Sequence, residues 1–197
     1  MKFDIIILSG GYSSRMKSDK ALLITDGKTI IEMLIEKLQP FANSIHIILG
    51  KNFNKVSSIV STKQVLCHFN ENHDLGMFSS IQKGFSEVSG VNPILLQMID
   101  QPFLPTKYYQ QLTDSYDQKY QIIQPIHYTE KRKGHPIIFS HQMMDVVRNF
   151  NKNSNLREVF SSLSLESFKL VEIDDKRIFQ NINTPQEWEN YKKNTQN

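Results

Sequence analysis

Three short stretches of this 197-residue chain carry side chains suited to phosphate chemistry. The first is Ser9-Gly10-Gly11-Tyr12-Ser13-Ser14-Arg15-Met16-Lys17-Ser18-Asp19-Lys20, directly after the apolar run Phe3-Asp4-Ile5-Ile6-Ile7-Leu8. Adjacent glycines let a backbone turn and approach an anion closely, so that successive N–H groups can face phosphate oxygens. Arg15, Lys17 and Lys20 add charge, and together these residues have the chemistry of a triphosphate cradle. Two familiar phosphate loops are set aside, because this loop lacks the Gly-Lys pair that GxxxxGK[ST] needs, and Gly10 and Gly11 do not meet the glycine spacing of GxGxxG. The same residues also suit a plain glycine turn followed by a solvated basic stretch.

The second stretch is Asp100-Gln101-Pro102, at the end of the apolar run Pro93-Ile94-Leu95-Leu96-Gln97-Met98-Ile99. A carboxylate left at a strand end can hold a hard dication such as Mg²⁺, which takes one or two carboxylates together with water and substrate phosphates. Alone, Asp100 would equally suit a turn that bonds its own backbone. The third stretch, Asp74-Leu75-Gly76-Met77-Phe78-Ser79-Ser80-Ile81, opens a helix, whose free N–H groups and the Ser79 and Ser80 hydroxyls could meet a nucleobase edge. Further on, Lys133-Gly134-His135-Pro136 enters a strand, where Gly134 permits close approach and His135 can meet a second substrate.

Elements of alternating type must carry these loops. Apolar runs of strand length fall at 3–9, 44–49, 64–69 and 93–99, and helical periodicity at 29–39, 52–60 and 77–88, with Ile30, Ile31, Leu34, Ile35 and Leu38 in one stripe. The strands are continuous apolar runs, which predicts a parallel sheet covered by helices on both faces, with ligands at the carboxyl edge. The second half reads as helix 105–116, strands 120–126 and 136–140, helices 141–149 and 154–161, and strands 167–173 and 177–181. Thr184, Pro185 and Glu187 form a capping box for a last helix whose Trp188 and Tyr191 face inward, and 192–197 reads as a frayed tail. The expectation is one α/β domain over 1–197, with a nucleotide-binding half at about 1–104 and an acceptor-binding half at about 105–190.

Composition narrows the function. Hydrophobic residues make up 39% and charged residues 22%, enough for a large core without staples, and the net charge is +3. Aromatic residues are not interleaved with basic runs, so nucleic acid is a poor partner. Lys131-Arg132-Lys133 reads as a solvated loop. The single Cys67, in an apolar run, reads as a small core residue in a reducing compartment, and it makes no zinc site with the scattered histidines, His68 and His73 included. No stretch approaches a membrane span and no cleavable leader is visible, so a cytoplasmic protein is expected, with no membrane association.

Together the motifs resemble the molybdenum-cofactor nucleotidyltransferases over nearly the whole chain. LSGGYSSRMKSDKALL (Leu8 to Leu23) is similar to that family's nucleotide signature, GMFSSI (Gly76 to Ile81) to its base-recognition segment and Asp100-Gln101-Pro102 to its metal-bearing turn. Gly134-His135-Pro136-Ile137, Asn155-Leu156-Arg157-Glu158 and Asn181-Ile182-Asn183-Thr184-Pro185 follow in matching order. The resemblance implies a Rossmann-like nucleotidyltransferase fold with Arg15, Lys20 and Asp100 as the catalytic set. It further implies nucleotide contacts from Leu8, Ser9, Gly10, Gly11, Ser13, Arg15, Lys20, Gly76, Ser79 and Ser80, Mg²⁺ on Asp100 and Asn183 or Asn181, and acceptor contacts from Gly134, His135 and Pro136.

GMFSS, DQP and GHPI resemble the cytidylyl branch, which implies CTP, whereas Gly10-Gly11, Asp19-Lys20 and NINTP resemble the GTP-using guanylyl branch. Lys17 stands where the family usually has Gly, and Asn183 where the cytidylyl branch usually has Asp. The expected reaction is transfer of CMP to the terminal phosphate of molybdopterin with release of pyrophosphate, and a molybdoenzyme is a possible partner. The alternatives are a guanylyltransferase, another metabolite nucleotidyltransferase and a non-catalytic protein that delivers the cofactor.

Overall fold

The computed structural model describes residues 1–10, 16 and 18–195, the side chains of 193–195 excepted. In chain order the strands and helices are β1 (Phe3–Ser9), β2 (Ile24–Thr25), β3 (Lys28–Thr29), α1 (Ile30–Leu38), β4 (Ala42–Leu49), α2 (Phe53–Ile59), β5 (Leu66–Phe69), α3 (Met77–Glu87) and β6 (Ile94–Met98). They continue with α4 (Thr106–Asp114), β7 (Ile122–His127), β8 (Arg132–Lys133), β9 (Ile137–Phe139), α5 (Met143–Asn149), α6 (Leu156–Ser161), β10 (Phe168–Glu172) and α7 (Pro185–Thr195). The main sheet runs β10-β7-β9-β6-β1-β4-β5, with β8 on β7. Only β9 and β8 run against the rest, so the sheet is mostly parallel, as its continuous apolar strands imply.

Side-chain alternation along β1 divides the core. Ile5 and Ile7 pack with Leu34, Val56, Leu112 and Trp188 on one face of the sheet, and Ile6 and Leu8 pack with Phe78, Phe85, Met143 and Val159 on the other. The α1 stripe is buried at all five expected positions, and the helix starts on a capping box in which Thr29 and Glu32 bond each other's backbone. The box at Thr184 and Glu187 likewise starts α7, with Trp188 buried. Because β1 lies between β6 and β4, the loops leaving these three strands meet at one carboxyl edge.

Three expectations need correction, and three short strands were unforeseen. Residues 177–181 form no strand, because the Asp175 side chain and carbonyl accept from Arg177 N and Ile178 N and close a turn of 3-10 helix. Cys67 lies on the edge strand β5 and is half-buried, so it is a boundary residue and not a core one. α7 continues to Thr195, beyond the start of the expected tail. The β2–β3 hairpin and β8 are two-residue strands, too short for periodicity to show.

Gly134 sits where another chain segment crosses. Its N–H donates to Pro125 O at 3.0 Å, and a Cβ built on it would lie 2.1 Å from Ile178 O, a backbone atom with no room to withdraw. Gly134→Ala should therefore lower stability by about 3 kcal/mol, the upper part of the overpacking range. Thermal denaturation should show a fall of roughly 6–12 °C, and an unchanged midpoint would contradict this packing.

Candidate functional site

Lys20 lies in a single turn of 3-10 helix, Lys20–Leu22, whose start is capped by the Asp19 carboxylate accepting from Ala21 N. From there the Lys20 Nζ reaches two segments distant in sequence. It lies 2.9 Å from Asn183 Oδ1 and 3.5 Å from Asp100 Oδ2. One ammonium is thus shared by an amide oxygen and a carboxylate in a largely buried setting. Burial raises the Asp100 pKa above the usual carboxylate range, and the Lys20 charge opposes that rise.

The Asp100 loop is braced from several sides. Ile99 N donates to Leu8 O at 3.1 Å, tying the end of β6 to the end of β1. Ile182 N donates to Asp100 O at 2.8 Å, and Gln101 Nε2 donates to Asn181 Oδ1 at 2.5 Å, so the 181–183 segment is fastened to this loop. Underneath, Gln97 Nε2 donates to Met98 O and Gln101 O, while its Oε1 accepts from the fully buried Tyr109 hydroxyl at 2.8 Å. Lys37, from the last turn of α1, donates to Pro102 O at 2.7 Å and Leu104 O at 3.0 Å. Burial, with the nearby Arg177 charge, pushes the Lys37 pKa down to about 8. Sequence reading missed these braces, because a Gln in a strand, a Tyr and a Lys in helices show no pattern until the chain is folded.

The glycine loop meets the start of α3. A Cβ on Gly10 would lie 3.2 Å from Ser80 Oγ and 3.5 Å from Gly50 N, so this residue makes a close approach that a side chain would crowd. Leu8 and Ser9 are buried at the end of β1, with Ser9 O accepting from Asn52 Nδ2 at 3.0 Å. Gly11, Ser13, Arg15 and Lys17 lie outside the described residues.

Ser79 and Ser80 are buried, and their hydroxyls are engaged inside the protein. Asn70 Nδ2 donates to both at 3.0 Å, and Ser79 Oγ donates to Asn72 O and Gly76 O. Asn70 itself, at the turn after β5, was not anticipated. It is the hub of this cluster, since its Oδ1 also accepts from Asn72 N.

A cavity of about 1160 Å³ opens between the sheet and α6, lined among others by Met77, Met98, Gln124, Lys133, His135 and Arg157. Of the three residues expected at the acceptor, His135 lines it, whereas Gly134 and Pro136 are buried and lie outside its lining. Burial lowers the His135 pKa to about 4, which keeps the ring neutral near pH 7. The structure therefore brings Lys20, Asp100 and Asn183 into one cluster and Gly10 against Ser80, and sets His135 in the large cavity.

Two curated relatives span nearly the whole chain. One, from Natranaerobius thermophilus and named a probable molybdenum cofactor guanylyltransferase, is 28% identical over 95% of this chain and 94% of its own length. Another of the same name, from Flavobacterium johnsoniae, is 23% identical over 92% of each. Among solved structures, one from Mycobacterium tuberculosis H37Rv in complex with manganese superposes with a TM-score of 0.78 at 14% identity, over 98% of this chain and 99% of that one. The model of the MobA-like NTP transferase domain matches residues 5–167, well over half of the chain. With the mostly parallel sheet and the loops gathered at its carboxyl edge, this match makes the chain a member of the MobA-like NTP transferase domain family.

Proposed function

We propose that this protein transfers GMP from GTP to the terminal phosphate of molybdopterin and releases pyrophosphate. The observation that carries the reading is the Lys20 ammonium held between Asp100 and Asn183 at the carboxyl edge of β1 and β6. The attacking phosphate is already ionised, so the reaction needs no protein nucleophile or base. Catalysis of this kind consists of positioning and charge stabilisation. Lys20, with Arg15 from the same loop, would hold the phosphates that leave as pyrophosphate.

The donor set fits a divalent metal. Asp100 and Asn183 offer hard oxygens that already converge on one cation, with no sulfur or imidazole among them, as suits Mg²⁺ or Mn²⁺. Among the described residues no cluster of three or more His, Cys, Asp or Glu side chains offers a competing site. When bound, the metal would neutralise charge on the phosphate oxygens. Asp100 would hold it as a carboxylate, since a nearby positive charge favours the ionised form.

One finding favours guanine over cytosine. Both relatives described above carry the guanylyltransferase name. The Ser79 and Ser80 hydroxyls, expected at a nucleobase edge, are buried, with Ser79 Oγ bonded to Asn70, Asn72 and Gly76 and Ser80 Oγ accepting from Asn70.

Pyrophosphate release measured with each of the four nucleoside triphosphates, with and without molybdopterin, tests the reaction directly. GTP should give a specificity constant at least about 10-fold above that of CTP, within the range a modest pocket difference supplies. A CTP preference would reverse the base assignment, and release without acceptor dependence would remove the transferase reading.

Asp100→Asn should abolish metal-dependent turnover and weaken Mn²⁺ binding, read by electron paramagnetic resonance, at least tenfold while the melting temperature stays nearly constant. Normal Mn²⁺ binding in that variant would place the metal elsewhere. Lys20→Met should act in opposite directions on two measurements. Turnover should fall by roughly 10²-fold with loss of a preorganised charge donor, while Mn²⁺ should bind the nucleotide-free protein more tightly, because the competing ammonium has left the two oxygens. Weaker Mn²⁺ binding in Lys20→Met would show that ammonium and metal do not share the site.

A further inference from the structure

The two edges of the main sheet differ in chemistry. At one end β10 carries Lys169 and Glu172, charges of the kind that discourage a further strand from adding. At the other, β5 is Leu66-Cys67-His68-Phe69, with no proline, carboxylate or ammonium, and among the described residues β4 is its one strand neighbour. Asn70 N donates to Leu49 O at 2.8 Å, which fixes the alternation along this parallel pair. Leu66, His68 and Asn70 therefore direct their main-chain groups at β4, and Cys67 and Phe69 direct theirs away from the sheet. Among the described residues no turn or loop bond takes up the N–H or C=O of either.

Such an edge accepts an extended strand, and a second copy of this chain supplies one that matches. Antiparallel pairing of identical strands about a two-fold axis is self-complementary. With the axis at Cys67, Leu66 lies opposite the partner's His68 and Phe69 opposite the partner's Val65. Leu66 is 53% exposed and Phe69 41%, so both apolar side chains gain cross-strand cover that the single chain does not give them. The flanks of β5 are polarised in the matching sense. Lys63 precedes the strand and shares Glu36 with Lys28, which leaves that end positive, while the exposed Glu71 and Asp74 follow it. Antiparallel pairing brings the positive end of one strand to the negative end of the other, whereas a parallel copy would set like charges together.

We propose that β5 is a homodimerisation edge, on which a second copy of this chain adds antiparallel across a two-fold axis at Cys67 and joins the two main sheets into one. The ladder is short, so the dimer is modest and governed by mass action. None of the pairing residues belongs to the nucleotide, metal or acceptor sets named above, so the dimer stands or falls independently of the proposed reaction.

Sedimentation velocity of the full chain from about 1 to about 100 µM should show monomer passing to dimer. Leu66→Lys counts twice across the axis and puts a charge on the edge, so the dissociation constant should rise about tenfold or more while the melting temperature of this exposed-site variant stays nearly constant. Lys63→Glu and Glu71→Lys should each weaken the dimer, and the double variant should recover it. Cys67 is the chain's one cysteine, and opposed residues of a hydrogen-bonded antiparallel pair have Cα atoms about 5.5 Å apart, inside the range a disulfide spans. Oxidation with copper phenanthroline should therefore join two wild-type chains at Cys67, and should do so far more slowly in Leu66→Lys. A wild-type chain that stays monomeric at the top of the concentration range would overturn the proposal, with no variant needed. So would a dimer indifferent to Leu66→Lys, or one that neither cross-links at Cys67 nor responds to the charge exchange.

Discussion

The single ammonium shared by Asp100 and Asn183 is the constraint on which the rest of the site depends. Two oxygens from segments about eighty residues apart converge on one cation only if the end of β6 and the 181–183 segment are fixed to each other. The Ile182 to Asp100 backbone bond and the Gln101 to Asn181 bond provide that fixation, and α7 seals it by placing Trp188 against the core. A buried carboxylate is costly unless charge and hydrogen bonds compensate it. The Lys20 position therefore has a structural consequence, offsetting part of the cost of burying the Asp100 carboxyl, as well as the chemical one proposed above.

Below this cluster lies a polar layer that touches no substrate in the proposed reaction. Tyr109, Gln97 and Lys37 use buried or half-buried hydrogen bonds to hold the Asp100 loop from the helix side of the sheet. On the opposite side of β1, Asn70 performs the same service for the start of α3 and so for the surface that Gly10 approaches. The Asp100 loop and the start of α3 are thus pinned by side chains of neighbouring elements. Catalysis by preorganised charge requires this, because groups that had to reorganise during the reaction would forfeit much of their benefit.

The cavity beside α6 follows a different plan. Its lining includes Gln124 of β7 and His135 of the segment that enters β9, where Gly134 allows Ile178 to cross closely. The Lys20 cluster is built from charges and amides at strand ends, and the cavity beside α6 from apolar side chains with Gln124, Lys133, His135 and Arg157 among them. These are the ingredients of a small-molecule pocket that fixes orientation with few contacts.

By itself the sequence determined the elements and most of the chemistry. Continuous apolar strands required burial on both faces, the α1 stripe required one buried side, capping residues set the starts of α1 and α7, and Asp100 after a buried run required a carboxylate at the sheet edge. These are local properties, written in periods of two and 3.6 residues and in cap preferences. Only the tertiary structure decided that Lys20 reaches Asn183 and Asp100, that Asn70 binds Ser79 and Ser80, that Lys176–Ile178 form a turn of 3-10 helix in place of a strand, and that Gln124 and His135 line one cavity. These depend on partners outside the local period, from nine residues away for Asn70 and Ser79 to 163 for Lys20 and Asn183, or on whether a side-chain hydrogen bond outcompetes a strand ladder. No local pattern encodes such pairings, because they arise from which strands lie side by side and which backbone atoms that leaves unpaired.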